Sequence, residues 1–160
     1  MSQVAADVRL SAAVGRPVSR VEDERQPNLN ISVIFTAVES TLAALRCAAT
    51  LADSLGARIS LVVTQVIPYP LPLDIPHVSP EFSERRFRVI AGESRVQTDV
   101  QIYFCRDRMA TLKAVLKPHS LVVVGGKKKG WIHAWAPTRE KRLARELRRA
   151  GHEVIFSEME

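Results

Sequence analysis

Short apolar segments rich in valine and isoleucine alternate with segments of helical periodicity along most of this chain. Residues 31–38 are typical of a strand that is buried on both faces, and apolar residues at helical spacing follow them up to Gly56. Strands separated by helices in this way pair in parallel. We therefore predict an α/β protein with an open five-stranded parallel sheet of the Rossmann-like type and helices on both faces. The predicted strands are 31–38, 58–67, 97–104, 121–124 and 152–156.

Residues of the capping type mark the ends of the predicted helices. Gly56 follows the first helix, at the place where a left-handed residue commonly ends a helix. Side chains with a hydroxyl or carboxylate oxygen stand at each predicted start, because such oxygens accept hydrogen bonds from the first turn. These residues are Ser40 and Thr41, Ser79 (before Pro80), Asp107 and Thr138.

The length and composition are those of one globular domain: 160 residues, of which 46% are hydrophobic and 25% are charged. No apolar run approaches the roughly 20 residues that span a bilayer. Residues 1–29 carry four basic and four acidic residues and no continuous apolar stretch. We expect a disordered N-terminal arm at 1–29, a single domain at 30–160, and a cytoplasmic location.

Cysteine and histidine are sparse. Cys47 and Cys105 are far apart in sequence, and the four histidines show no metal-ligand spacing. We expect neither a disulfide framework nor a metal site.

Positive charge is concentrated in one late segment. The formal net charge of the chain is +6, and residues 126–150 alone hold nine basic and two acidic residues. One face of the molecule should therefore be strongly electropositive.

Three stretches resemble the universal stress protein family, part of the adenine-nucleotide hydrolase-like group. Residues 40–61 (STLAALRCAATLADSLGARISL) are similar to its first helix and second strand, residues 121–126 (LVVVGG) to its fourth strand and glycine turn, and residues 138–156 to its last helix and strand. The likeness covers roughly four-fifths of the chain. It implies a regulatory role in stress responses, with dimerisation and ATP as the expected partner and ligand.

Two departures from the family concern ATP. ATP-binding members carry an aspartate at the end of the first strand, where this chain has Thr36-Ala37-Val38. Their phosphate loop reads G-x2-G-x9-G followed by Ser or Thr. Here three lysines follow Gly126, Gly130 comes one place late, and Pro137 replaces the last glycine. The resemblance therefore implies weak or lost ATP binding.

The candidate site for a nucleotide or another anion lies at the carboxyl ends of the predicted strands. A glycine-rich turn there would leave backbone N–H groups for phosphate. Alternatively, the segment is a solvated basic loop whose glycines serve the backbone conformation alone. Trp131 and Trp135 either stack on a base or cover a sheet edge or subunit contact. The candidate residues are Thr36, Gly125, Gly126, Lys127, Lys128, Lys129, Gly130 and Thr138.

An enzyme is the least supported class, because no nucleophile–base arrangement and no complete phosphate-loop motif is evident; we assign no catalytic residue. We expect a non-catalytic regulatory protein of the universal stress type. One alternative is a member that binds ATP or AMP through the lysine-rich loop. The other is a nucleic-acid-binding module that uses Arg142, Arg145 and Arg149 on one face of the last helix.

The last strand is the expected dimer contact. Residues 152–157 contain no proline or lysine and include the apolar Val154, Ile155 and Phe156. The resemblance places this strand at the edge of the sheet, and a bare edge invites pairing with a second chain. Alternatively, the acidic residues 158–160 or the N-terminal arm cover the edge and leave a monomer.

Overall fold

The computed structural model describes residues 10–13, 29–73, 79–94, 96–128 and 137–159. Within them the strands are β1 (Leu10–Ala13), β2 (Asn30–Ile34), β3 (Arg58–Val66), β4 (Thr98–Cys105), β5 (Leu121–Lys127) and β6 (Glu153–Met159). The helices are α1 (Val38–Leu55), α2 (Pro80–Gly92), α3 (Arg108–Val115) and α4 (Arg139–Arg149).

The strands form one sheet in the order β1-β4-β3-β2-β5-β6. Each of β2 to β6 is parallel to its neighbours among these five strands, which confirms the predicted open five-stranded parallel sheet. β1 is a sixth strand, antiparallel to β4, with Leu10 beside Ile102. We did not predict it, since it lies within the expected arm and its four residues show no alternating pattern; its pairing partner comes from the tertiary fold.

Most of the predicted caps are confirmed. Gly56 adopts the left-handed conformation after α1, with φ of 64°. Ser79 accepts a hydrogen bond from the N–H of Phe82, and Asp107 accepts one from the N–H of Ala110. The expected start of α1 was wrong, because the helix begins at Val38, before Ser40 and Thr41, and both of these side chains are buried in its first turn.

The two faces of the sheet bury separate apolar clusters. The cluster on the α1 and α2 face includes Val33, Leu45 and Phe87. The cluster on the α3 and α4 face includes Ile34 and Leu147. Because successive residues of a strand point to opposite faces, β2 supplies both clusters, with Ile31 and Val33 in the first and Ile34 in the second. None of the described helices has the length and apolar character that a membrane crossing needs.

Candidate ligand site at the carboxyl edge of the sheet

The strand order changes direction between β2 and β5. The chain runs outward from β2 through β3 to β4 on one side, and from β5 to β6 on the other. Ligands of open parallel sheets bind at the carboxyl ends of the strands beside such a point. The structure brings two of the predicted residues, Thr36 and Gly125, into contact here. The first turn of α4 lies next to Gly126: if Gly126 carried a Cβ, that atom would stand 3.3 Å from the Cβ of Glu140.

Thr36 joins the ends of β2 and β5 by hydrogen bonds within the protein. Its hydroxyl donates to the carbonyl oxygen of Gly125 over 3.1 Å. Its backbone N–H donates to Oγ1 of the buried Thr41 over 3.2 Å, which ties the end of β2 to the first turn of α1. The hydroxyl proton of Thr36 is therefore already committed to Gly125.

The expected glycine turn after Val124 was wrong. β5 continues through Gly125 and Gly126 to Lys127, in register with residues 157–159 of β6, and the N–H of Lys128 donates to the carbonyl of Met159. A long neighbouring strand thus overrides the poor strand propensity of glycine. Backbone groups alternate in direction along a strand, so the N–H and C=O groups of Gly126 and Lys128 face β6, where they are directed at the neighbouring strand and not at a ligand.

Both glycines allow close packing. A Cβ on Gly125 would lie 1.8 Å from the carbonyl oxygen of Ser40 in α1. A Cβ on Gly126 would lie 2.4 Å from Cζ of Phe156. The helix backbone and the aromatic ring therefore occupy the space beside the two glycines, and glycine is needed for packing at both positions.

One of the predicted lysines, Lys127, meets a carboxylate at this edge. Lys127 Nζ lies 2.8 Å from Oε2 of Glu39 in the first turn of α1. This hydrogen-bonded contact raises the pKa of Lys127 and lowers the pKa of Glu39. Lys128 is exposed after the end of β5, while Lys129 and Gly130 lie outside the described residues, as do Trp131 and Trp135. An anion at Lys127 would have to compete with Glu39.

Thr138 is the N-cap of α4. Its hydroxyl accepts a hydrogen bond from the N–H of Lys141 over 3.2 Å. This cap accounts for the threonine without a ligand.

Arg108 is a residue that we did not predict at this edge. From the start of α3, its Nη2 donates to the carbonyl of Phe35 at the end of β2 over 2.6 Å. Its Nε is buried and has no hydrogen-bond partner among the described residues. Burial lowers the pKa of Arg108, while Cys105 and Glu140 act in the opposite direction. No local sequence motif signals this position, because the contact joins residues 73 apart in the chain.

A serine–histidine pair lies at the opposite, amino edge of the sheet. Ser120 Oγ and Nδ1 of the buried His152 are 3.0 Å apart. Burial lowers the pKa of His152, and the positive charge of nearby His119 lowers it further. No carboxylate is bonded to His152 among the described residues, so the pair lacks the third group that would orient a catalytic base.

A basic surface covers α4 beside the edge strand β6. A cleft of about 230 Å³ is lined by Lys141, Arg145, Arg148 and Phe156, together with Ala144. Lys141 bonds Glu158 over 2.8 Å, and this hydrogen bond lowers the pKa of Glu158. The guanidinium of Arg148 donates twice to the carbonyl of Val154, over 2.9 and 3.3 Å.

In the described ranges, no three side chains of His, Cys, Asp or Glu lie together as metal ligands would. No protein-family model matches the sequence, and no curated protein is significantly similar to it. What the structure itself establishes is a Rossmann-like α/β fold.

Proposed function

We propose that this chain is a non-catalytic regulatory protein of the universal stress type, which acts as a homodimer and binds ATP weakly or not at all. The proposal goes beyond the α/β fold. It combines the sequence resemblance to the universal stress protein family with the contacts at the carboxyl edge of the sheet.

The observation that carries the proposal is the filled space beside Gly125 and Gly126. A phosphate-holding loop needs backbone N–H groups that point at the ligand. Here the chain continues as a strand through both glycines, the Ser40 carbonyl and the Phe156 ring pack against them, and Lys127 is paired with Glu39. Thr36, Ala37 and Val38, which follow the first parallel strand, offer no carboxylate. These contacts account for the two glycines and for Lys127 without a bound nucleotide.

Titration calorimetry of the full chain with ATP and magnesium tests the proposal. We expect no saturable heat, no nucleotide retained through purification, and no phosphate release. A dissociation constant in the low micromolar range or tighter would contradict it. That outcome would favour the alternative in which Lys127, Lys128 and Lys129 hold phosphate, and replacing the three by alanine would then remove the affinity without lowering the melting temperature much.

No strand among the described residues pairs with the outer edge of β6, and this supports the dimer. The N–H of Glu153 donates to the carbonyl of Ser120, and the carbonyl of Met159 accepts from the N–H of Lys128. The backbone groups of Glu153 and Met159 therefore face β5. By alternation, the backbone groups of Val154, Phe156 and Glu158 face away from the sheet, and of these the carbonyl of Val154 already accepts from Arg148. Residues 158 and 159 belong to β6, so this edge is longer at its carboxyl end than the predicted residues 152–157.

The same alternation limits the register of a two-fold pairing. If the two-fold axis passes beside Phe156, Val154 lies opposite Glu158 of the partner subunit. Both side chains are on the face that carries α4, where Arg148 is bonded to the carbonyl of Val154. The carboxylate of the partner subunit's Glu158 would then approach this guanidinium, which favours this register.

The basic face of α4 favours nucleic acid binding as a second candidate function. Arg142, Arg145 and Arg149 are exposed, and none forms an ion pair with a carboxylate in the described part of the chain. Phosphate contacts give an affinity that falls steeply with salt. Fluorescence anisotropy with a labelled oligonucleotide over a salt series tests this candidate: replacing the three arginines by glutamine should flatten the slope, and an unchanged slope would exclude this face.

A further inference from the structure

A shallow apolar groove lies between the start of α1 and the outer face of α2. Its volume is about 420 Å³. The side chains that line it come from one residue of α1 and five of α2, and apart from two arginines they are apolar. They are Val38, Phe82, Arg85, Arg86, Val89 and Ile90.

The groove follows one stripe of α2. Phe82, Arg86 and Val89 are spaced i, i+4 and i+7, so they lie on the same side of the helix. Ile90 belongs to the core cluster on this face of the sheet, whereas Phe82 is 59% exposed and Val89 is 66% exposed. Large apolar side chains that are exposed side by side mark interaction surfaces more often than scattered ones do.

The exposure of these side chains favours a broad partner over a small molecule. Small-ligand sites commonly bury about 70–90% of the ligand in a concave pocket. Phe82 and Val89 stand mostly in solvent and cannot enclose a ligand in that way. A ridge of side chains at helical spacing, flanked by a second helix, fits the apolar face of another helix.

The charge of the groove is positive. Arg85 and Arg86 are exposed, and neither is paired with a carboxylate among the described residues, because the ion pair of α2 joins Arg88 to Glu84. The N-cap of α1 is Ala37, which supplies no side-chain hydrogen bond to the positive end of the helix dipole. Glu39, the acidic residue of that first turn, is bound to Lys127.

We propose that this groove docks an acidic amphipathic helix of a partner protein. The apolar stripe of the partner covers Phe82, Val89 and Val38, and its flanking carboxylates meet Arg85 and Arg86. The groove is on the face of the sheet opposite α4, and the proposal depends neither on the loss of ATP binding nor on pairing through β6.

The probe is a labelled synthetic helical peptide with leucines at i, i+4 and i+7 and glutamates on both flanks; a matched peptide has lysines at the glutamate positions. Fluorescence anisotropy with the full chain should show micromolar binding of the glutamate peptide and at least about tenfold weaker binding of the lysine peptide. Phe82→Ser with Val89→Ser should remove the binding. Arg85→Glu with Arg86→Glu should reverse the preference between the peptides. Arg46→Glu, on an exposed position of α1, is the control and should bind like the wild type.

Melting temperatures near that of the wild type establish that the variants are folded. Failure of the glutamate peptide to bind, or equal binding of the two peptides, would overturn the proposal. Sedimentation of the variant with Phe82→Ser and Val89→Ser adds a further test. Loss of the dimer in this variant would mean that a second copy of the chain covers the groove, and would overturn the proposal. Saturable binding of a fatty acid that displaces the peptide would point to a lipid site and would also overturn it.

Discussion

Gly125 and Gly126 face neighbours that differ in their freedom to move. The neighbour of Gly125 is the backbone carbonyl of Ser40, which a whole helix holds in place, whereas the neighbour of Gly126 is the edge of the Phe156 ring. We expect Gly125→Ala to lower the free energy of unfolding by about 3 kcal/mol and Gly126→Ala by about 1–2 kcal/mol. Urea unfolding measures both changes.

Gly92 offers a matched control for these substitutions. It is the last residue of α2, and a Cβ there would meet nothing within 4 Å. Gly92→Ala should raise the free energy of unfolding by about 0.5 kcal/mol, because alanine restricts the unfolded chain. A Gly125→Ala variant with the unfolding midpoint of the wild type would contradict the packing role assigned to this glycine.

His152 should make stability depend on pH. Burial lowers its folded-state pKa below the ordinary value of about 6.5, so the unfolded chain binds the proton more readily. This contribution to stability is fully present above pH of about 6.5 and is lost as the pH falls through the folded-state pKa. Melting temperatures should therefore decline on acidification below pH of about 6.5.

His152→Gln separates this histidine from other titrating groups. The variant should show a weaker decline over the same pH range; the comparison is of slopes, because the lost contact with Ser120 also changes the stability at neutral pH. Glu39 and Glu158 also have shifted pKa values, but both are lowered and titrate at more acidic pH. An identical pH profile in the variant and the wild type would exclude His152 as the source.

At the scale of elements, Thr138 distinguishes a helix cap from a ligand residue. Thr138→Ala removes the acceptor for the Lys141 N–H and should cost about 1 kcal/mol of stability. Thr138→Ser keeps the hydroxyl and should restore most of it. Urea unfolding of the two variants measures the difference. If Thr138→Ala instead leaves stability unchanged but abolishes binding of a polyphosphate, the residue serves a ligand.

At the scale of the whole molecule, pairing through β6 depends on donors that face outward. Glu158→Pro removes one such donor, whereas Glu158→Ala removes the same ion pair with Lys141 and keeps the donor. Light scattering should show a dimer for the wild type and for Glu158→Ala, and a weakened dimer for Glu158→Pro. A monomeric wild type would refute the pairing, and a Glu158→Pro dimer of unchanged strength would place the interface elsewhere.

Local signals in the sequence were sufficient for the five parallel strands and for most of the helix ends. The apolar residues of 31–38 indicated a strand buried on both faces. Gly56, Ser79 and Asp107 marked helix ends through hydrogen bonds or backbone angles that act over a few residues. Such signals are readable in sequence because cause and effect lie within one turn of chain.

The candidate site was decided by contacts between distant residues. Gly125 and Gly126 read as a turn in the sequence, yet β6 holds them in a strand, and Ser40 and Phe156 fill the space beside them. The reach of Arg108 to the end of β2 likewise leaves no local pattern. The sequence by itself determined where the five parallel strands and the helices between them lie. Only the tertiary structure decided the pairing of β1, the continuation of β5 through its two glycines and what meets at the ends of β2 and β5, because these depend on strand order and on packing between elements far apart in the chain.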